Sequence, residues 1–166
     1  MLSRRHLYCS LLGGLLTCLG CTESRDERLA SAQPARVLDD TDTMQDFGEF
    51  VVHFNALMTA QLDPTIAREY NIVRSRSRAL INISVQTKAD TGETTPVRAA
   101  VDVIALDTSG QIRPLPVREV REGAAIYYLA ETSVTDAETL TFTVEATPRG
   151  VREPLSLRFR RSFFVD

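Results

Sequence analysis

The stretch TLTFTVEA, residues 139–146, alternates without a break. Leu140, Phe142, Val144 and Ala146 are apolar, while Thr141, Thr143 and Glu145 between them are not. Successive side chains leave a pleated strand on opposite sides, so a period of two marks a β-strand with one buried face. The same period recurs outward in both directions. FGEFVVHFN (47–55) puts Phe50, Val52 and Phe54 together, opposite His53 and Asn55. RALINISVQ (78–86) puts Ala79, Ile81, Ile83 and Val85 opposite Asn82, Ser84 and Gln86. VRAAVDVIAL (97–106) groups Val97, Ala99, Val101 and Val103, and AIYYLAETSV (125–134) sets Ile126, Tyr128 and Ala130 against Tyr127, Leu129 and Glu131. The end, PLSLRFRRSFFVD (154–166), turns Leu155, Leu157 and Phe159 one way and Arg158 and Arg160 the other.

Turn residues separate these runs: ADTGE, DTSG, REGA and PRG all read as hairpin loops. Pro114 and Pro116 cannot donate ladder bonds, so IRPLPV (112–117) is an edge strand or irregular. One short helix is expected at DPTIAREY (63–70), with Asp63 as its N-cap, Pro64 in the first turn and Asn71 ending it in a left-handed conformation. About seven short strands, each with one apolar face, predict an all-β fold: two antiparallel sheets packed as a sandwich. The chain has no tryptophan, and its three cysteines all lie within residues 1–21, so the resemblance to an immunoglobulin domain is one of architecture alone.

The N-terminus reads as an export signal. Residues 1–20 carry Arg4 and Arg5, then an apolar run over 7–20. That run is shorter than the ~20 apolar residues of a membrane span and fits a signal peptide. TCLGC (17–21) resembles the lipobox of bacterial lipoproteins, in which the chain is cut before the cysteine and its thiol is acylated; Cys18 stands where leucine is usual. The expectation is lipidation of Cys21, with Thr22 after it favouring the outer membrane; an ordinary cleaved signal is the other reading. SRRHL (3–7) also resembles a twin-arginine signal. Residues 21–46 are rich in charged and small residues and are expected to be a lipid-anchored flexible tether, leaving 47–166 as the sandwich domain.

Composition narrows the function classes. The chain has 19 basic and 22 acidic residues, and the two basic residues of the signal leave 17 against 22, a net of −5. Such a surface disfavours nucleic acid. His53 is the sole histidine after the signal, which speaks against a zinc site needing three or four ligands and gives a hydrolase triad no motif to rest on. Asp40, Asp42 and Asp46 resemble a calcium loop, but Gln45 and Val51 stand where glycine and a bidentate glutamate are needed. No cofactor is expected.

Two long stretches, FGEFVVHFNALMTAQLDPTIAREYNIVRSRSRALINISV (47–85) and REVREGAAIYYLAE (118–131), resemble a family of small exported bacterial proteins catalogued as a domain of unknown function. Its distinctive parts are His53-Phe54-Asn55-Ala56, Ile72-Val73-Arg74-Ser75, Arg78-Ala79, Asn82-Ile83 and Arg121-Glu122-Gly123, and the pattern runs to the final FFVD. The resemblance implies a soluble periplasmic protein and no activity; Cys21 departs from it.

Three candidate features remain. His53 and Asn55 form a polar pair on one strand face, either a small pocket or a solvated side. Arg74, Arg76 and Arg78 alternate and, on an extended chain, would share a face. They are expected to be the charged start of a strand, with Arg74 and Arg78 paired to Glu119, Glu122 or Glu131; the alternative is a bound anion held with Asn82. Asn82 lies mid-strand and needs partners if buried. The function expected is a non-catalytic envelope module that binds an envelope protein or component; the alternative is a sandwich that captures a small anionic ligand through the arginines.

Overall fold

A computed structural model describes residues 37–165. Among these residues eleven strands form two sheets. The first sheet holds β1 (Val37–Leu38), β11 (Leu155–Phe163), β10 (Glu138–Pro148), β6 (Ala99–Leu106) and β7 (Ile112–Leu115), in that order. The second holds β2 (Met44–Asp46), β3 (Phe50–Met58), β4 (Arg78–Lys88), β9 (Ala125–Ser133) and β8 (Val117–Glu122), with β5 (Thr94–Pro96) added to β4. All pairs are antiparallel except β1 with β11. The chain is therefore the expected sandwich. Seven of its strands have six or more residues; β1, β2, β5 and β7, the other four, have two to four. Pro114 sits in the edge strand β7, where a missing N–H leaves no ladder bond unmade.

The alternation seen in the sequence becomes the core. Ala79, Ile81, Ile83, Val85, Leu140, Phe142, Val144 and Ala146 are fully buried, and all face the gap between the sheets. Three phenylalanines fix how the layers meet. Phe54 of the second sheet stacks on Phe159 of the first, with ring centres 4.6 Å apart, and Phe159 stacks in turn on Phe142 at 5.1 Å. Tyr128 also points inward, and its hydroxyl accepts the Ala99 N–H at 2.7 Å; burial raises the phenol's pKa above its ordinary value. At the β6–β7 turn, the Asp107 carboxylate accepts the Ser109 and Gln111 N–H groups and Gly110 takes φ +88°, a conformation open to glycine and strained for other residues.

The expected boundary at residue 47 needs correcting. Val37 and Leu38 pair with Arg158 and Phe159, and Met44–Asp46 pair with Val51–His53, so residues 37–46 run from one sheet to the other as a strap. Arg161 ties the strap down. It is 7% exposed and donates to the main-chain carbonyls of Asp39 (3.0 Å) and Asp42 (2.6 Å), with its guanidinium carbon 5.2 Å from the Phe159 ring centre. Lys88 pairs with Asp46 at the other end. Strands this short have no room for a readable alternation, which is why composition alone made them look like tether. The signal, Cys21 and the rest of the expected tether lie outside the described residues.

Candidate functional site

One face of each sheet looks outward. On the second sheet, that face is partly apolar, and a helix covers it. The chain leaves β3 through a single 3-10 turn, Thr59–Gln61, and enters α1 (Pro64–Glu69). The Asp63 carboxylate accepts the Thr65 N–H at 2.7 Å, capping the helix, and this bond lowers its pKa. At the other end Asn71 adopts φ +52°, as expected from the sequence. Its N–H bonds the Arg68 carbonyl and that of Ile72 bonds Ala67, closing a Schellman motif that returns the chain to the sheet. Ala67 and Ile72 are buried against Leu80 of β4 and Leu129 of β9, with Leu62, Tyr70, Val120 and Tyr127 packed around them.

The helix does not close completely on the sheet. A cleft of about 260 Å³ remains, lined by Leu57, Leu62, Ile66, Ile72, Leu80 and Leu129, with Tyr70, Tyr127, Asn82 and Glu122 supplying its polar groups. Asn82 Oδ1 is buried without a hydrogen-bond partner. A buried carbonyl oxygen in that state costs about 1–3 kcal/mol, which a donor from a ligand would recover. At the rim, the Tyr70 hydroxyl donates to Glu122 Oε2 at 2.5 Å, and this bond pushes the phenol's pKa up to about 12. Asn82 also lines a shallower polar depression of about 220 Å³ with Thr43, His53, Asn55 and Ser84. Cross-strand register explains this grouping: His53 faces Ser84 and Asn55 faces Asn82.

The arginines are arranged differently from expectation. Arg74 and Arg76 lie in the loop between α1 and β4, and Arg78 alone is in the strand, so the three do not share a strand face. The cause is buried Thr59, whose hydroxyl donates to the Ser75 carbonyl (3.1 Å) and accepts the Ser75 N–H (2.9 Å), pinning the loop. Arg74 donates to the Ala60 carbonyl at 2.6 Å, and Arg78 pairs with Glu131 at 3.1 Å. The Arg78–Glu131 pair is half exposed and worth ~1 kcal/mol or less. The other two expected carboxylates are engaged elsewhere. Glu119 accepts from Arg98 (2.9 Å) and Arg121 (2.8 Å), which hold its pKa below the usual range, and Glu122 accepts from Tyr70.

The structure thus joins Asn82 and Glu122 in the cleft and places His53 and Asn55 beside it, apart from the arginines. Sequence reasoning missed Tyr70, Leu80 and Leu129 as site residues. The signal was present in the alternation: Leu80 and Leu129 are large apolar residues in the outward phase of their strands. Among the described residues, no group of three or more His, Cys, Asp or Glu side chains could hold a metal ion.

Comparison with known proteins bears on the fold and family. A crystal structure of a DUF4426 family protein from Pseudomonas aeruginosa PAO1 superposes with a TM-score of 0.63 at 34% identity, covering 74% of this chain and 94% of that one. A copper-bound variant of FetP from uropathogenic Escherichia coli reaches 0.51 at 8% identity, over 72% of this chain and 93% of that one. An as-isolated FetP, recombinantly expressed in the periplasm, also scores 0.51 at 8% identity, over 73% and 92%. At that identity the likeness is one of fold alone. No curated protein matches the chain. The model of a domain of unknown function, DUF4426, matches residues 44–166, and with it the chain belongs to the DUF4426 family.

Proposed function

We propose that this chain is a non-catalytic binding module of the bacterial cell envelope, and that its binding site is the cleft between α1 and the outer face of the second sheet. The observation that carries this reading is Asn82 Oδ1, a buried acceptor without a partner beside an apolar-lined opening. A site built mostly of hydrocarbon with a few convergent polar groups is how small-molecule pockets are made. At about 260 Å³ the cleft suits one ring system or a short alkyl group. The anionic reading has less support, because Arg74 and Arg78 already have protein partners.

Two results test the site. Indole, titrated calorimetrically, should bind saturably, and Ile66→Trp, at a 39% exposed helix position lining the cleft, should abolish binding by filling it. Asn82→Leu should leave thermal stability unchanged or raise it by up to about 1 kcal/mol, since a lone buried polar atom is removed, while weakening indole. Indole binding unaffected by Ile66→Trp, or a destabilised Asn82→Leu, contradicts the reading.

Envelope placement rests on the N-terminal sequence, with Cys21 acylated and the mature protein held at the outer membrane. Wild type should sediment with membranes, and Cys21→Ser should move it to the soluble periplasmic fraction. A wild-type protein already released by osmotic shock argues against the anchor.

A further inference from the structure

Building on the cleft as a binding site, we propose that its ligand is a small organic cation: an ammonium group carried on an apolar, ring-sized body. The cleft's lining carries one formal charge, the Glu122 carboxylate, and no cationic side chain. The apolar body is matched by Leu57, Leu62, Ile72, Leu80 and Leu129. The charged end is matched by three features of the polar side. Glu122 is an acceptor whose second oxygen is not taken by Tyr70. Asn82 Oδ1 is an acceptor that lacks a donor. Tyr70 and Tyr127 both line the opening, and aromatic side chains can attract ammonium groups by their quadrupoles.

The one formal charge in the lining is negative. The Tyr70 proton is held by its bond to Glu122, by burial, and by the negative charges of Glu122 and Glu69, which together delay its loss to about pH 12. The hydroxyl is therefore protonated at neutral pH and donates to Glu122. Arg118 is not among the lining residues, and its guanidinium donates to the Tyr70 main-chain carbonyl at 2.6 Å. A carboxylate or phosphate entering the cleft would meet Glu122, while the neighbouring Arg118 guanidinium is engaged by the Tyr70 carbonyl. A cation would meet the exposed Glu122 carboxylate at the rim of the apolar opening, an attraction that salt screens.

Three probes of one shape separate charge from hydrophobic fit: 2-phenylethylammonium, 2-phenylethanol and 3-phenylpropionate, titrated into the full chain by calorimetry. The ammonium should bind up to about 5-fold more tightly than the alcohol, as expected for an exposed ion pair, and the carboxylate should bind weakest, because it would lie beside the like charge of Glu122. Raising the salt should weaken the ammonium alone. Glu122→Gln keeps an acceptor for Tyr70 and removes the charge. It should remove most of the gap between ammonium and alcohol, with its melting temperature recorded to show that it is folded. Equal binding of ammonium and alcohol, or an unchanged gap in Glu122→Gln, overturns the cationic assignment while leaving the cleft a binding site. Tightest binding by the carboxylate also overturns it. If none of the three probes binds, both the cationic assignment and the cleft reading fall.

Discussion

Replacing Arg161 with alanine is expected to lower stability by about 3–5 kcal/mol, a large fraction of the 5–15 kcal/mol typical of a domain. The side chain donates to Asp39 and Asp42 carbonyls from a position 7% exposed, and its guanidinium lies 5.2 Å from the Phe159 ring centre and 6.0 Å from that of Phe54. Hydrogen bonds to a charged donor contribute roughly 1.5–3 kcal/mol each, and a desolvated cation over an aromatic ring about 2. Burial opposes the charge and lowers the guanidinium's pKa, while the carboxylates of Asp40 and Asp42 act the other way. These opposing terms keep the net cost below the simple sum. Arg161→Met, which fills the space without a charge, should therefore cost less than alanine. Truncation before Asp46 should be similarly damaging, and combining it with Arg161→Ala should add little, since both remove the same strap. Chemical denaturation of the four proteins measures this; an additive double variant would show that Arg161 and the strap act independently.

The second large effect is expected at Phe159. The ring is fully buried and stacked between Phe54 and Phe142, so it belongs to both layers at once. Phe159→Ala removes those contacts and leaves a cavity, at a cost of about 3–5 kcal/mol, whereas Phe159→Leu should cost roughly 1–2 because most of the volume is kept. Because Arg161 lies over the same ring, the Phe159→Ala and Arg161→Ala losses should be coupled rather than additive. Equilibrium unfolding in urea reads both values, and a loss under about 1 kcal/mol for Phe159→Ala would show that the layers do not depend on this stack.

Much of the sandwich was legible because a two-residue period is decisive wherever one face is buried. The runs at 78–86 and 139–146 show it most clearly, and each became a central strand. Legibility failed where strands were short or where an exception to the alternation carried the information. Val37–Leu38 and Met44–Asp46 span too few residues to show a period. Arg161 continues the inward phase of Leu157 and Phe159, so its buried place could have been read as a charge in an apolar row. Leu80 and Leu129 are the opposite exception, apolar residues in an outward phase, and together they marked the face that α1 covers. The arginine run misled because alternation of charges was read as a strand, whereas the Thr59–Ser75 bonds hold residues 74–77 in a loop. Asn82 was recognisable as a mid-strand polar residue, but its missing partner is a tertiary fact.

On the reading proposed above, the cleft under α1 is where this protein binds a ligand. Amide chemical-shift mapping of the isotopically labelled protein during an indole titration reports whether it does. The predicted result is saturable shifts concentrated at Tyr70, Leu80, Asn82, Tyr127 and Leu129. Shifts confined to the Arg74–Arg78 loop or to the outer face of the first sheet, or the lack of any saturable shift, would contradict it.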